Sequence, residues 1–310
     1  MLKNVELTPV SDNVGALIRV IRPHIVVGGL LGYLLGALLA LNHGAAFNPV
    51  HLALGYAVVL AGDLSTHYSN DYHDVEIDSH SPPKSYGRSN ALVAHPEARP
   101  AALGAAVAFT AASLAAAAAM VAAGFSKPTL LLVASAALAL GWMYSSPPTR
   151  LNARGLGEAT IAVGTGFAVP AVGYMAAAGS LDGVLLLASA PLVLYGFVLS
   201  LCLELPDVEV DRRHGKTTLV VALGRRRAVA LTVLATAAAS LIFAVSPAGR
   251  IGGSMLPPLL SLAPLAAALG GASARLDDPG DADHVGARII AALFIFLLAF
   301  DGYLLYTLFF

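Results

Sequence analysis

Nine apolar runs, separated by short polar breaks, set the plan of this chain. They cover about residues 17–41, 50–72, 98–123, 128–146, 157–178, 182–204, 228–246, 254–274 and 286–309. A helix rises about 1.5 Å per residue, so runs of this length match the roughly 30 Å apolar core of a bilayer. The pattern predicts an all-α polytopic membrane protein, with nine transmembrane helices around a central cavity that opens near the cytoplasmic face. Pro23 falls where a first helical turn or a kink tolerates it. Prolines 147 and 148 end the fourth run, and Gly155 and Gly157 restart the chain. One transmembrane domain over 1–310 is expected, with a cytoplasmic N-terminal segment at 1–13 and large polar loops at 73–97 and 205–227.

Composition agrees. Of the 310 residues 57% are hydrophobic and only 12% charged, about half the roughly 25% charged residues of soluble domains. The single Cys202 excludes an intramolecular disulfide. The net charge of −1 says little, but the placement of charge says more. With residue 1 inside, of 18 Lys plus Arg only Lys127 and Arg250 fall outside, which leaves 16 inside. This bias predicts a multi-pass cell-membrane protein with its N-terminus in the cytoplasm. Runs one to four and five to eight also share a layout. In each half the second helix ends in an acidic cluster, and a long basic loop follows.

Those two clusters are the candidate chemistry. The first is Asn70-Asp71-Tyr72-His73-Asp74-Val75-Glu76-Ile77-Asp78, in which Asn70, Asp74 and Asp78 are spaced i, i+4, i+8 and form one helical stripe. The second is Glu204-Leu205-Pro206-Asp207-Val208-Glu209-Val210-Asp211, with Asp207 and Asp211 again four apart. Carboxylates this close repel unless a cation lies between them, and a low-dielectric setting raises that cost. A hard ion such as Mg²⁺ takes oxygen ligands, and is commonly shared between one or two carboxylates and a substrate phosphate. A pair of solvated helix ends is the plainer reading of either cluster alone. Two clusters at matching places favour a shared metal site, with Asn70, Asp74, Asp78, Asp207 and Asp211 as its ligands. Basic residues expected on the same face are candidates to grip a diphosphate: Lys84, Arg88, Arg150, Arg154 and Lys216, with Arg22 and Asn70 beside them. Any one of these cations also serves simply to set topology.

The paired motifs resemble those of the UbiA-type intramembrane prenyltransferase superfamily. Asn70-Asp71-x-x-Asp74-x-x-x-Asp78 matches its first motif. Asp207-Val-Glu-Val-Asp211, continuing to Gly215-Lys216-Thr217-Thr218, looks like its second. Tyr144-Ser-Ser-Pro-Pro-Thr-Arg150-Leu-Asn-Ala-Arg154-Gly-Leu-Gly-Glu158 and Glu204-Leu-Pro-Asp207 resemble segments of the 1,4-dihydroxy-2-naphthoate polyprenyltransferases of menaquinone biosynthesis. The first motif reads equally like digeranylgeranylglyceryl phosphate or chlorophyll synthases, but their Asn-Arg-Pro-Ile-Pro-Ser-Gly type continuation is replaced here by Ser79-His-Ser-Pro-Pro-Lys84-Ser-Tyr-Gly-Arg88. The naphthoate group's glycine pair is also missing, with Gly87 standing alone. The resemblance implies transfer of a polyprenyl group from an allylic diphosphate to an aromatic acceptor, with Mg²⁺ as cofactor. The bilayer is then a partner, and neither nucleic acid nor an obligate protein partner is expected. Prenylation of geranylgeranylglyceryl phosphate, or of a 4-hydroxybenzoate or chlorophyllide type acceptor, is the alternative within the family.

Other residues are less decided. Asp63 and His67 lie on the Asn70 face, deeper in the second run. An ionisable group inside a span is a functional candidate, so Asp63 is expected either to steer the acceptor or take its proton, or to pair with Arg22. Asp71 and Tyr144 complete the catalytic candidates. A tyrosine at this depth, whether Tyr68, Tyr72 or Tyr144, shields a cation, binds phosphate or anchors at the interface. His24 is read as a packed polar residue or an acceptor contact, and Glu158 as a helix-start acid. Asp301 is expected to be structural, and 277–283 to be a solvated loop. A secondary transporter would carry its acids near the midplane, and a phosphatidyltransferase would carry an Asp-Gly-x-x-Ala-Arg signature that is absent here.

Overall fold

The computed structural model describes residues 10–82, 84–246 and 254–310. Among these the elements are helices joined by turns, with no strand. The main helices are α1 (Val10–Val20), α2 (Pro23–Asn42), α3 (Pro49–Asp78), α4 (Arg99–Ala122), α5 (Thr129–Ser145), α6 (Gly157–Ala178), α7 (Gly183–Glu204), α8 (Arg225–Val245), α9 (Leu256–Ala272) and α10 (Pro279–Phe309). Six helical stretches, containing α2, α4, α6, α7, α8 and α10, are long and apolar enough to cross a membrane. Helices α5 and α9 are apolar but shorter. Helix α3 has the length, 30 residues, but Asp63 and His67 interrupt its apolar character. Exposed leucines and isoleucines on several helices, among them Leu132, Leu186, Leu234, Leu241, Ile295 and Leu298, form apolar surface of the kind that suits lipid and not water.

Sequence-local chemistry starts these helices. Asn48 accepts from the backbone N–H of Val50 at 3.0 Å and His51 at 3.2 Å, with Pro49 in the first turn of α3. Asp182 caps α7 in the same way, accepting from Val184 at 2.9 Å. Helix α2 packs on α3, α6 and α10, α3 on α4, α5 and α6, and α6 on α7. Helix α7 packs on α8 and α10, while α9 lies against α8 and α10, so α10 closes the set back onto α2. Gly36 is what lets α2 and α6 touch through backbone, because a β-carbon there would fall 1.9 Å from the Pro170 carbonyl oxygen.

Four boundaries differ from expectation. The first run is not one helix: it breaks at Arg22, whose φ is 51°, and α2 starts afresh at Pro23. Helix α3 continues through the whole acidic cluster to Asp78, so the first large loop begins at Ser79 and not at 73. The second loop is partly helical, with short helices at Val208–Arg213 and Leu219–Leu223. The acid run 277–283 is not a free loop either. Asp278 caps α10 by accepting from Asp281 N–H at 2.8 Å, and Asp283 accepts from the Ser85 N–H at 3.1 Å and hydroxyl at 2.7 Å. Arg250, expected on the outer side, lies outside the described residues.

Candidate functional site

The ends of α3 and α7 meet, and the loop after α3 joins them. The Arg88 guanidinium donates from Nε to Asp78 Oδ1 at 2.7 Å and from Nη2 to Asp207 Oδ2 at 2.9 Å. Lys84 Nζ reaches the same Asp207 oxygen at 2.8 Å and the Leu203 carbonyl at 3.2 Å. On the other side Lys216 Nζ pairs with Asp211 Oδ1 at 3.1 Å, close enough to Asp74 to feel its charge. One acidic stripe from each half of the chain therefore faces the other across a row of cations. Burial disfavours the charges on Arg88 and Lys216. Asp207 and Asp78 outweigh it for Arg88, and Asp211 and Asp74 for Lys216, so both pKa values lie above their ordinary ones.

Asp74 is the best supported of the acids. Its Oδ2 accepts from Asn70 Nδ2 at 2.9 Å, Ser145 Oγ at 3.0 Å and Asn152 Nδ2 at 3.2 Å. Asn70 and Asn152 also donate to Ser145, at 2.5 and 3.1 Å. Three donors on one oxygen leave the other free: Asp74 Oδ1 is buried with no hydrogen-bond partner, and so is Asp207 Oδ1. Buried unpaired carboxylate oxygens are costly, and each acidic motif supplies one. Hard oxygen donors of this kind suit Mg²⁺. Among the described residues no three carboxylate, histidine or cysteine side chains converge tightly enough to hold an ion by themselves. This pattern fits an ion that arrives with phosphate oxygens to complete its shell.

The other expected residues divide. Arg22 pairs with Asp71 and not with Asp63. It is buried, forms an ion pair with Asp71 Oδ1 and donates to the Gly87 carbonyl. Asp71 Oδ2 takes the Ser89 hydroxyl, so both oxygens of Asp71 are engaged in tying α2 and the first loop to α3. Arg154 is exposed and donates to the Pro148 carbonyl at 2.7 Å. Arg150 is half-buried and within electrostatic reach of Asp74. Tyr68 is spent on the Leu17 carbonyl at 2.9 Å, and the Tyr72 ring lies under the Arg99 guanidinium at 4.6 Å. His24 packs edge-on against Tyr86. Asp301 is buried, and neither of its carboxylate oxygens finds a partner; nothing in the structure explains it.

Two cavities lie within the helical bundle. One of about 280 Å³ is lined at its polar end by Arg22, His67, Asn70 and Tyr144, and at its apolar end by Val58, Val59, Ala134 and Leu138. The other, of about 160 Å³, lies between α2, α7 and α10. Asp63 lines both.

Sequence reasoning missed several participants. Ser145 and Asn152 sit in the Ser-Ser-Pro-Pro-Thr-Arg-Leu-Asn stretch, where only the arginines drew notice. Glu158 accepts from Leu219 N–H and interacts with the buried Glu204. It is thus part of the wall behind the second motif and more than a helix-start acid.

An apolar helical bundle with a buried, cation-bridged pair of acidic motifs over apolar cavities defines an integral membrane enzyme and not a soluble one. The comparisons with known proteins fix its kind. Residues 30–298 match the model of the UbiA prenyltransferase family, and the chain belongs to that family and is a prenyltransferase. It is 22% identical over 237 residues to the 1,4-dihydroxy-2-naphthoate octaprenyltransferase of Bacillus subtilis, covering 76% of this chain and 74% of the relative. The fold is similar to a UbiA homologue from Archaeoglobus fulgidus solved bound to GPP and Mg²⁺, with a TM-score of 0.63 at 18% identity, covering 93% of this chain and 99% of that one. A structure described for digeranylgeranylglyceryl phosphate synthase gives a TM-score of 0.64 at 18% identity, over 94% and 98% of the two chains.

Proposed function

We propose that this protein moves a polyprenyl group from an allylic polyprenyl diphosphate to an aromatic acceptor, with 1,4-dihydroxy-2-naphthoate the best supported acceptor and diphosphate the product left behind. The observation that carries the reading is the meeting of the two acidic motifs. Arg88 bridges Asp78 and Asp207, while Asp74 and Asp207 each keep one buried oxygen without a partner. The Bacillus subtilis relative supports the naphthoate acceptor. The glyceryl phosphate acceptor of the second structural relative is the alternative, but the segment after Asp78 departs from that group's pattern.

On this reading Asp74, Asp78, Asp207 and Asp211, with Asn70, hold Mg²⁺ at the cytoplasmic end of a nine-span bundle. When bound, the ion neutralises charge on the departing diphosphate. Lys84, Arg88 and Lys216 already sit where that charge grows, and exchange a carboxylate for a phosphate oxygen when substrate enters. Ser145 and Asn152 hold Asp74 in one orientation. Arg22 and Asp71 brace the entry of α2 against α3, and Arg150 remains a candidate for the outer phosphate. The apolar cavity walls exclude water, which would otherwise quench a carbocation-like prenyl group to an alcohol. Tyr144, on the cavity wall beside these acids, presents its ring to that group.

The test is an assay of the purified protein in lipid with Mg²⁺, geranylgeranyl diphosphate and dihydroxynaphthoate. Prenylated naphthalenediol is expected, with equimolar diphosphate and the carbon dioxide of the lost carboxylate. A folded protein that prenylates neither this acceptor nor other aromatic or glyceryl acceptors would overturn the proposal.

A further inference from the structure

Each acidic motif is followed closely by a histidine. His80 stands two residues after Asp78, where α3 gives way to the first loop. His214 stands three residues after Asp211, at the end of the short helix Val208–Arg213. Gly215, with φ 72°, turns the chain away just beyond it. The fold brings the two rings together: their centres are 5.2 Å apart and their planes are tilted by 45°. Both residues are exposed, so burial in the core does not account for the contact, and neither ring takes part in the ion pairs that join the acids.

Each ring is held by its own helix. His80 Nδ1 lies 2.9 Å from the Glu76 carbonyl oxygen and 3.1 Å from the Ser79 hydroxyl. His214 Nδ1 lies 2.9 Å from the Val210 carbonyl oxygen. In both cases the carbonyl is four residues back. A carbonyl oxygen only accepts, so Nδ1 carries the hydrogen in both rings, and in the neutral ring Nε2 keeps its lone pair. Among the described residues neither Nε2 has a hydrogen-bond or ion-pair partner. Histidines that bind metal are set up in this way: a backbone carbonyl takes one ring N–H, which fixes the tautomer and the ring orientation and makes the other nitrogen more basic. The spacing agrees. Two imidazoles bound through nitrogen at about 2.0–2.1 Å to one tetrahedral ion have their ring centres roughly 5 Å apart.

We propose that His80 and His214 form a second metal site, separate from the carboxylates, which takes a borderline divalent ion such as Zn²⁺ and ties the end of one acidic motif to the end of the other. The choice of ion follows from the ligands. Imidazole nitrogen suits Zn²⁺, Ni²⁺ and Cu²⁺, whereas Mg²⁺ takes oxygen. Among the described residues no third carboxylate, histidine or cysteine joins the pair, so water completes the shell. Structural zinc sites close with four protein ligands. A site with two holds its ion exchangeably, and its occupancy follows the concentration of the free ion. Its position gives that occupancy an effect. A bound ion adds a link between the two helix ends besides the one that Arg88 makes from Asp78 to Asp207. The pair binds its ion whatever substrate the carboxylates take.

The experiment uses the full chain, free of any affinity tag, in nanodiscs with excess Mg²⁺. The proteins are wild type, His80→Ala, His214→Ala, the double variant and Asp74→Asn. Zn²⁺ binding is measured by calorimetry against empty nanodiscs, and the melting temperature is read with and without Zn²⁺. Wild type is expected to bind one Zn²⁺ per chain and to melt at a higher temperature with it. Each single histidine variant is expected to lose about tenfold or more in affinity, at least the cost of removing a group that merely supports a metal ligand, and to lose the thermal shift. The double variant is expected to be no worse than either single one, because a lone imidazole does not hold the ion and two ligands of one ion act as a unit. Asp74→Asn is expected to bind Zn²⁺ as wild type does. Zn²⁺ that binds wild type no better than the double variant overturns the proposal. So does a single histidine variant that keeps wild-type affinity, or an Asp74→Asn variant that loses it, because the ion then sits on the carboxylates. An unchanged helical signal shows that a lost site is not a lost fold. Where an alanine variant does not fold, His80→Gln or His214→Gln, which keeps more of the side chain, takes its place and is judged by the same outcomes.

Discussion

Asp74 shows how one residue is prepared for its work. Asn70, Ser145 and Asn152 spend their donors on a single oxygen, which fixes the carboxylate plane and leaves the other oxygen buried and unpaired. Replacing Asp74 or Asp207 by Asn keeps the shape and removes the charge. Each variant is expected to lose about 100-fold or more in prenyl transfer, with the folded helical signal retained. Full activity in either removes that residue from the proposed metal site. The supporting shell carries a smaller expectation. Ser145→Ala and Asn152→Ala are each expected to lower activity about 10–100-fold, the usual cost of freeing a metal-binding ligand, with a weaker apparent Mg²⁺ affinity in a titration. The acids themselves were legible in the sequence because carboxylates at i, i+4 have few structural uses in an apolar chain. Their donors were not. Ser145, the last residue of α5, and Asn152 just beyond it carry no signal until the fold brings them 71 and 78 positions back along the chain to Asp74.

At the scale of elements, the run pattern placed the long helices well, because apolar length alone decides them. It failed where a polar side chain redirects the backbone. Hydropathy reads straight through Arg22, yet the chain turns there with φ 51°, so that the guanidinium can reach Asp71 and the Gly87 carbonyl. Arg22→Met would leave Asp71 as a buried charge without its partner. A loss of about 3–5 kcal/mol is expected, read as a lower melting temperature in detergent, and the double variant Arg22→Met/Asp71→Leu is expected to recover much of it. A single variant as stable as wild type would show that the pair does not hold α2 against α3. The same blindness hid the Asp283–Ser85 contact. An acid run without helical spacing looks solvated until α10 brings it to the loop that carries Lys84 and Arg88.

Across the whole molecule, the two halves each deliver one acidic helix end, and the loop after α3 stitches them together through Arg88. The matching layout of the halves made that meeting predictable, although periodicity could not say which cations would stand between the acids. Lys84, Arg88 and Lys216 stand against the four carboxylates Asp74, Asp78, Asp207 and Asp211, so most of the site's negative charge is offset before any ion enters. Mg²⁺ alone is therefore expected to bind weakly, and diphosphate with Mg²⁺ far more tightly than either alone. The most direct measurement is calorimetric titration of inorganic diphosphate into the nanodisc-embedded protein, with and without Mg²⁺, for wild type, Asp74→Asn and Asp207→Asn. The account predicts tight binding that needs the ion and is lost in both variants, since one site takes ligands from both helix ends. Binding that ignores Mg²⁺, or that survives in either variant, would contradict it.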